Sequence, residues 1–585
     1  MSSRPRKRAI AALLIALAGW FAYATSFDGA FVHDDFPNIV ENPYVRRLWP
    51  PGPALWANPS LGLHGWPVVA FTFALDHALW GAGPRGFHVT NLALHVLAGI
   101  ALYAVMSTAL RSPAMQERLR ARAHGVALAI ALLWVVHPLT SSAVTYVVQR
   151  CESLMGLFFL LAFHAAQRWL EAPARRWVAV AAIAGVLGAG CKEVIAVLPV
   201  VVLAYDMVLH GRTVRSALRS GGALYSALLA SSVAVGLLVA WSGGHARSVG
   251  VGLDAWTYLK AQSCALIDYL RLAFWPHPLV FDHGSQPAHG LAWLACGSVV
   301  MAILALTLLA LARRRPIGVA GSVVLPDPRS SFSSVVPIAS ELAAEHRMYL
   351  PLTAVITLVV VAGSLLAQNI GRWVPCVATG GLALVLALAT RARNRDYASE
   401  ERLWSSVLAV ESANARAYDA LGDVLRRAGR DDEAREHFAR AVALQPDAAF
   451  RRNNYGSSLS AAGDLDGALE QFRAAVDLAP RFAIARANLG RILYLRGDPQ
   501  HAVDELRTAL LIEPGLAAAS RWLGFALADT GRTEKAKVAL RAALQVAPDG
   551  AQQARRARRE VSERYCLLAS AASARAKLPA STAMS

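Results

Sequence analysis

The sequence predicts an all-α membrane protein, in which a polytopic helical bundle of about ten or eleven spans precedes an α-solenoid of helical repeats. Three observations predict this fold. Hydrophobic residues make up 55% of the chain and charged residues 17%. Apolar runs long enough to cross a bilayer recur through the first two thirds, and the C-terminal part repeats with a period of 34 residues. With a mean hydropathy of +0.38, the chain lies outside the range of ordinary soluble proteins.

The positive charge is distributed as in a membrane protein. The formal net charge is +18, but the Lys and Arg residues fall in short clusters between apolar runs. A nucleic-acid-binding protein would instead gather them on one continuous face, so we expect no nucleic-acid partner. The clusters occupy alternate loops, which indicates that those loops are cytoplasmic; they lie at 4–8, 118–122, 175–176, 212–219 and 313–315.

Ten apolar runs are predicted to span the membrane. They lie at 9–27, 87–110, 123–139, 152–170, 176–191, 193–209, 221–241, 289–312, 348–366 and 373–390. An eleventh run at 318–338 is interrupted by Pro326-Asp327-Pro328-Arg329. If it crosses, the region after residue 391 lies outside the cytoplasm; if it does not, the parity reverses. The loops expected to face outward are 28–86, 138–151, the turn around 192, 242–288 and 339–347.

The C-terminal period indicates tetratricopeptide repeats. Each repeat is a helical pair with a glycine turn after the first helix and a proline after the second. The domains predicted are a membrane domain at 1–395, a capping half-repeat at 396–414, four repeats at 415–550, and a basic helix with a disordered tail at 551–585. The positions with this period are Gly422, Gly456, Gly490 and Gly524; Gly429, Gly463, Gly497 and Gly531; Ala434, Ala468, Ala502 and Ala536; and Pro446, Pro480, Pro514 and Pro548.

An acidic pair, Asp34 and Asp35, lies in the first outward loop, within the string Phe31 to Phe36. Adjacent carboxylates beside apolar residues at a bilayer surface are costly unless they are paired or used. An isolated pair of this kind is most often a solvated loop, and that reading stays open at this point.

Further strings accompany the acidic loop in a fixed order along the chain. They are Gly86 to His95, His137 to Leu154, Cys191 to Glu193, Tyr269 to Pro276 and Ala344 to Pro351. With these strings, the chain resembles the transmembrane proteins with tetratricopeptide repeats whose animal members are O-mannosyltransferases of the GT-C superfold. The resemblance implies transfer of a sugar from a polyprenyl-phosphate carrier outside the cytoplasm. It also implies that the catalytic aspartate falls on Asp34 or Asp35. The chain departs from the relatives at Trp66, where they commonly have an arginine that could contact phosphate.

The chemistry of such a transfer requires a base and cations. We expect Asp35 to be the base and Asp34 its partner. Lys192, Arg347, His346 and Arg150 are candidates for the donor phosphate, because each lies next to a span at headgroup depth. Each cation has a structural alternative: Lys192 with Glu193 and Arg150 with Glu152 could be ion pairs, and Arg347 could reach the headgroups. The sequence has no metal-ligand pattern, although a carboxylate pair could hold a divalent ion.

Asn454 and Asn488 share one position in successive repeats, where such arrays can present asparagines to a bound peptide. The leading hypothesis is therefore a glycosyltransferase of the bacterial inner membrane that modifies a protein hydroxyl, with the repeats holding the acceptor. The alternative is a non-catalytic membrane-anchored scaffold for envelope or secretion partners. A flippase or polymer ligase for lipid-linked glycans would share the lipid but not the protein acceptor.

Overall fold

The chain forms two compact units, Met1–Val410 and Glu411–Ser585. The computed structural model describes residues 3–50, 63, 65–241, 255–284, 292–324, 343–367, 373–546 and 563. Within these residues every regular element is a helix, and the prediction of an all-α fold is confirmed.

The first unit contains sixteen α-helices among the described residues. They are α1 (Ser3–Tyr23), α2 (Pro67–Trp80), α3 (Pro84–Ala109), α4 (Glu117–Val135), α5 (Ser141–Thr145), α6 (Arg150–Glu171), α7 (Arg175–Ala189), α8 (Leu198–Leu209), α9 (Val214–Ser220), α10 (Gly222–Trp241), α11 (Ala255–Phe274), α12 (Ala292–Ala312), α13 (Pro316–Val324), α14 (Pro351–Leu366), α15 (Trp373–Asn394) and α16 (Glu400–Val410).

Six helical segments of the described chain are long and apolar enough to cross a bilayer, and two bent helix pairs raise the number to as many as eight. The chain is thus a multi-pass membrane protein. Three predicted spans form shorter α-helices than their apolar runs suggest: α7 has 15 residues, α8 has 12 and α14 has 16. Helix α7 ends at Ala189, α8 follows a 3-10 helix at Glu193–Val197, and α14 begins only at Pro351. About 20 residues are needed for an untilted crossing.

Besides the five-residue α5, two longer helices lie in regions that the sequence predicts to be outward loops. Helix α2 has 14 residues and is too short to be found as a span. Helix α11 has 20 residues but carries Lys260, Asp268 and Arg271 among its apolar side chains. Searching for uninterrupted apolar runs therefore misses both helices.

Parts of several predictions lie outside the described residues, among them the run at 318–338 and the C-terminal tail. The interrupted run at 318–338 begins in α13, for which nine residues are described, and 325–342 lie outside the described residues. The predicted basic helix and tail at 551–585 are likewise outside the described chain, apart from residue 563.

The described residues of the second unit form four helical pairs, as the period predicts. Its helices are α17 (Ala415–Arg427), α18 (Asp431–Leu444), α19 (Ala449–Ala461), α20 (Leu465–Leu478), α21 (Ala483–Leu495), α22 (Pro499–Ile512), α23 (Ala517–Asp529) and α24 (Thr533–Val546).

Two glycine registers explain the tight pairing of these helices. A Cβ at Gly422 would approach the Phe438 ring to 2.8 Å, so the first helix needs a glycine to pack on the second. The turn between the helices has positive φ at every repeat; the values are +78° at Gly429, +86° at Gly463, +83° at Gly497 and +75° at Gly531. The predicted left-handed turn is confirmed.

Helix α16, which the sequence counts with the repeats, is part of the first unit. Its Leu403, Trp404 and Val407 side chains are all buried. The Trp404 ring lies 5.3 Å from the His33 ring and 5.3 Å from the Phe281 ring. This helix therefore packs beside the acidic loop.

Candidate active site in the first loop

The acidic loop is a tight turn just beyond α1. The Asp35 N–H donates to the Val32 carbonyl at 2.9 Å, and the Phe36 N–H donates to the His33 carbonyl at 3.1 Å. His33 has φ of 47°, in the left-handed region that a non-glycine residue rarely adopts. Backbone strain of this kind concentrates at functional sites and persists only where neighbouring contacts hold it.

Asp35 is enclosed and anchors this turn. Its side chain has no exposed surface. Its Oδ2 accepts a hydrogen bond from the Val32 N–H at 3.0 Å, and its Oδ1 accepts one from the Val148 N–H at 2.7 Å. Burial raises the pKa of the Asp35 carboxyl well above its ordinary value, although the two backbone N–H groups oppose the change. Asp35 therefore joins the loop to the chain around Val148 and offers no surface to a substrate.

Asp34 has the opposite environment. Its side chain is 53% exposed, and one carboxylate oxygen lies 3.5 Å from His33 Nε2. Its backbone is fixed at both ends, because its N–H donates to the Tyr146 hydroxyl at 3.0 Å and its carbonyl accepts from Asn38 Nδ2 at 2.7 Å. The geometry thus favours Asp34, rather than the sequence choice Asp35, as the carboxylate that can meet a substrate.

Aromatic rings and one further carboxylate surround the turn. The Phe281 ring contacts both the His33 ring, at 6.1 Å, and the Tyr146 ring, at 5.2 Å. The His33 N–H donates to Glu400 Oε1 at 2.9 Å. Sequence reasoning did not single out Phe281, Trp404 or Glu400 as loop contacts, because they are remote in the chain and carry no motif.

Arg150, a predicted phosphate ligand, is buried and engaged inside the protein. It has no exposed surface. Its guanidinium donates to Asp76 Oδ2 at 2.5 Å, to Asn91 Oδ1 at 2.6 Å and to the Phe87 carbonyl at 3.1 Å. It also lies 4.5 Å from the centre of the Phe73 ring. Arg150 therefore joins α2, α3 and α6 and does not face a donor phosphate in this structure.

Lys192 is also buried, and it forms an ion pair with Glu152. The partner is Glu152 of α6, not the adjacent Glu193 that the sequence suggests. Lys192 Nζ lies 5.9 Å from the centre of the Trp66 ring, within the range of a cation–π contact. The Trp66 ring thus lies against a cation of the protein itself.

His346 and Arg347 lie in a short 3-10 helix, Glu345–Met348, just before α14, and all four of its residues are buried. Glu345 holds this turn in two ways. Its carboxylate accepts a hydrogen bond from the Val280 N–H, and it forms an ion pair with Arg393 Nη2 at 3.4 Å. Burial raises the pKa of Glu345, against the opposing charge of Arg393. The turn is therefore tied to the Val280–Phe281 segment that contacts His33.

An apolar cavity of about 570 Å³ lies between α3, α6, α8, α13 and α14. A smaller cavity adjoins it through the shared residues Phe159, Val201, Val323 and Leu350. The smaller cavity has two charged lining residues, Glu152 and Arg347. Arg347 is thus the predicted phosphate ligand that lines the smaller cavity, whereas the larger cavity has Arg315 in its own lining.

The segment Tyr146–Glu152 connects these features. Tyr146 contacts Asp34, Val148 holds Asp35, Arg150 pairs with Asp76, and Glu152 pairs with Lys192 beside the cavity. In this stretch every second residue has a partner elsewhere in the unit. The first two contact the acidic loop, the third contacts α2, and the fourth pairs with Lys192 beside the smaller cavity.

Asn454 and Asn488, in the second unit, form hydrogen bonds between repeats. Asn454 Nδ2 donates to Asp419 Oδ1 at 3.1 Å, and Asn488 Nδ2 donates to Asn453 Oδ1 at 2.8 Å. Both asparagines remain partly exposed on the first helices. Throughout the part of the chain that the structure describes, no group of three or more His, Cys, Asp or Glu residues is arranged to hold a metal ion.

Comparisons with known proteins agree with the two-part architecture. Tetratricopeptide repeat family models match residues 415–448 and 522–549. The human protein O-mannosyl-transferase TMTC1 is 28% identical over an alignment of 514 residues that covers 76% of this chain and 56% of that protein. The human protein O-mannosyl-transferase TMTC4 is 26% identical over 73% of this chain and 65% of that protein. The crystal structure of MamA protein aligns with 27% of this chain, and the alignment covers 85% of the MamA chain. The sequence identity is 22% and the TM-score is 0.24.

The match to the curated relatives extends well beyond the repeats. An alignment of 514 residues is far longer than the unit Glu411–Ser585, so it includes much of the membrane unit. The chain spans between about half and two thirds of the length of these two human relatives. Over most of its own length, the chain is similar to proteins named as O-mannosyl-transferases, and its C-terminal part has tetratricopeptide repeats.

Proposed function

We propose that this protein is a membrane glycosyltransferase that moves a sugar from a polyprenyl-phosphate-linked donor to a protein hydroxyl on the extracytoplasmic face. The repeats bind the acceptor, and the membrane is the bacterial inner membrane. The observation that carries the proposal is the contrast within the acidic pair. Asp34 is exposed on a backbone fixed at both ends, while the enclosed Asp35 holds the turn in place. Homologues named as O-mannosyl-transferases support the reaction class.

In this proposal Asp34 is the general base. Its carboxylate accepts the proton of the acceptor hydroxyl while the hydroxyl oxygen attacks the anomeric carbon of the sugar. The bond between that carbon and the phosphate oxygen breaks, and the phosphate leaves with the electron pair. A single displacement of this kind inverts the anomeric centre. Asp35 is a positioning residue, because it acts on Asp34 through the shared turn.

The donor lipid is assigned to two adjoining cavities, the smaller one, which Arg347 lines, and the larger apolar one beside it. A space of about 570 Å³ with an apolar lining suits part of an isoprenoid chain. Arg347, with His346 beside it, lies where the phosphate would meet the end of that space, and a guanidinium can hold two phosphate oxygens at once. Lys192 is paired with Glu152, which lines the smaller cavity, and Arg150 supports the helices that position the acidic loop.

The acceptor is assigned to the first helices of the repeats. Asn454 and Asn488 lie on successive first helices and remain partly exposed. Their amides can contact the backbone of an extended polypeptide while they also join the repeats. The acceptor hydroxyl would be delivered from the same side of the membrane as the acidic loop.

The test of the base is Asp34→Asn, with Asp28→Asn as a matched control because Asp28 is an exposed carboxylate earlier in the same loop. Membranes carrying each variant are given radiolabelled polyprenyl-phosphate mannose, or the glucose analogue, and label in protein is counted. Loss of a general base lowers the rate roughly 10²- to 10⁴-fold, and the control should retain transfer. Undiminished transfer by a correctly inserted Asp34→Asn protein would refute the assignment.

A non-catalytic scaffold is the second candidate, and one observation favours it. Arg150 and Lys192 both have partners inside the protein, so a donor phosphate is not needed to explain either cation. Native mass spectrometry of the purified protein with polyprenyl phosphate separates the two functions. The transferase requires retention of the lipid and weaker retention by Arg347→Gln, whereas a scaffold requires neither.

The side of the repeats is tested with single cysteines introduced at exposed positions of the second unit, in a background without the native cysteines. An impermeant thiol reagent should label them in intact spheroplasts if the array is extracytoplasmic. Labelling only after lysis would contradict both the outward placement and the acceptor-binding role.

A further inference from the structure

The larger cavity, of about 570 Å³, has an end that lies away from Arg347. The opposite end is marked by four lining residues that are shared with the smaller cavity: Phe159, Val201, Val323 and Leu350. From Leu350 the lining continues along α14 to Leu365, roughly 20 Å further along that helix. From Val323 it continues back along α13 to Arg315. Arg315 therefore lies at the end of the larger cavity that is remote from the smaller one.

Neighbouring contacts hold the turn that carries Arg315. Helix α12 ends at Ala312, and the Arg315 N–H donates to the Ala310 carbonyl at 2.7 Å. Arg314 has φ of 53°, in the left-handed region that a non-glycine residue rarely adopts. Its guanidinium donates to the Gly211 carbonyl at 2.9 Å, which ties the turn to the loop after α8. A strained conformation is thus maintained at the residue that places Arg315 beside the cavity.

Arg315 brings an uncompensated charge to this apolar space. Of the described residues that line the larger cavity, it is the only one with a charged side chain. Within the described part of the chain, its guanidinium has no ion pair or hydrogen bond, and the residue is exposed. Arg150 and Lys192, in contrast, are each paired with a carboxylate inside the protein. An anion can therefore reach Arg315 without displacing a partner.

The combination of cavity and charge selects the class of ligand. A free phosphate ion would leave the apolar lining unfilled, and a neutral lipid would leave the cation without a partner. An acidic phospholipid satisfies both, because an acyl chain suits an apolar space and a guanidinium can hold two phosphate oxygens at once. Arg315 also belongs to the basic cluster at 313–315, which the charge pattern predicts to be cytoplasmic. Basic clusters beside a membrane helix attract the acidic lipids of that leaflet.

We propose that the larger cavity holds an acyl chain of an acidic phospholipid from the leaflet beside the basic cluster at 313–315, with the lipid phosphate bound to Arg315. This phosphate site is separate from the donor site proposed at Arg347, and the inference stands whether or not the membrane unit transfers sugar. When a polyprenyl donor is bound, its tail replaces the acyl chain in the larger cavity. The phospholipid therefore fills the apolar space while the donor is absent.

The test measures lipid binding to the purified full-length protein by native mass spectrometry, with no polyprenyl phosphate present. The probes are phosphatidylglycerol and phosphatidylcholine with identical acyl chains. The wild type should bind phosphatidylglycerol more tightly, and Arg315→Gln should bind it at least about tenfold more weakly because a charge-assisted contact is lost. The matched control is Arg313→Gln, which removes an exposed arginine of the same cluster that does not line the cavity. It should bind both lipids as the wild type does.

A second variant tests the position of the acyl chain. Ala320 of α13 lines the larger cavity, so Ala320→Phe places a ring in the space that the chain would occupy. In protein that elutes as the wild type does in size-exclusion chromatography, this change should weaken the binding of phosphatidylglycerol several-fold.

Equal affinity of the wild type for the two lipids, or a preference for phosphatidylglycerol that survives in Arg315→Gln, would overturn the proposal. The same loss in Arg313→Gln would indicate attraction by overall charge, and unchanged binding by folded Ala320→Phe would mean that the chain lies elsewhere; either result also overturns it. Arg347→Gln separates this site from the donor site, because it should retain phosphatidylglycerol. Loss of the lipid in Arg347→Gln, with retention in Arg315→Gln, would refute this inference and leave the transferase proposal intact.

Discussion

Replacing Asp35 tests whether a buried carboxylate holds the acidic loop. Asp35 accepts two backbone N–H groups, one on each oxygen, at a site with no exposed surface. Asn has one accepting oxygen, so Asp35→Asn leaves one buried N–H without a partner at a cost of about 1–3 kcal/mol. Asp35→Ala leaves both and should cost roughly twice as much. Asp34→Asn changes an exposed side chain and should alter stability by less than about 0.5 kcal/mol.

The pH dependence of this effect has a definite sign. Burial raises the pKa of Asp35 in the folded protein above its unfolded value, so the folded state holds this proton more tightly. The stability that Asp35 contributes is therefore complete below the ordinary carboxyl pKa and is lost as the pH rises through the higher folded-state pKa. Asp35→Asn has no titrating group there, so the stability gap between wild type and variant should narrow as the pH rises.

The assay is thermal unfolding of the purified protein in detergent micelles, followed by tryptophan fluorescence across a series of pH values. Because a membrane protein of this size can unfold irreversibly, the variants are compared at one heating rate. The expected order of unfolding temperature is wild type, Asp34→Asn, Asp35→Asn and Asp35→Ala, with the first two nearly equal. Equal unfolding temperatures for Asp35→Ala and Asp34→Asn would refute the anchoring role.

Three further predictions concern other parts of the chain. Burial raises the pKa of Asp419 to about 6, so the repeats should lose stability as the pH rises from about 4 to about 6; Asp419→Asn should remove that slope in circular-dichroism melts, and an unchanged slope would contradict the cause. Arg150→Met should cost about 3–5 kcal/mol because it leaves the Asp76 charge buried; adding Asp76→Leu should recover folded yield in size-exclusion chromatography, and a failure to recover would mean that the charge is not the main cost. Gly463 has φ of +86° with nothing near its missing Cβ, so Gly463→Ala should lower stability by about 1 kcal/mol through the backbone alone, whereas an unaffected melting temperature would show that the turn relaxes.

The repeats could be predicted closely because a local rule determines them. The spacing of Gly429 and Gly463, and of Ala434 and Ala468, reports contacts within one helical pair, and the pair recurs without long-range input. The positive φ values and the packing of Gly422 against Phe438 are the structural counterparts of that period.

The orientation of the acidic pair could not be predicted from the sequence. Neighbouring residues in a turn point in different directions according to their backbone angles, and the left-handed His33 sets those directions here. The string identifies the loop that matters, but burial of Asp35 depends on Val148, which is distant in the chain.

The ion-pair partners of Lys192 and Arg150 could not be predicted from residues that are close in the chain either. The sequence suggests Glu193 for Lys192 and Glu152 for Arg150, because these residues are close in the chain. In the structure Lys192 pairs with Glu152 and Arg150 with Asp76. Which of several acidic residues meets a buried cation depends on how separate helices pack, and the apolar periodicity of each helix carries no information about that choice.

The attachment of α16 to the first unit determines where the repeat array can be separated from the rest of the chain. A soluble fragment beginning at residue 396 would carry Leu403, Trp404 and Val407 away from the surface that encloses them, and the uncovered apolar face would promote aggregation. The same cut would leave His33 and Phe281 without the indole that packs on both. A fragment starting at Glu411 avoids both losses, so the protease-resistant boundary should lie after Val410 and not at the end of the last span.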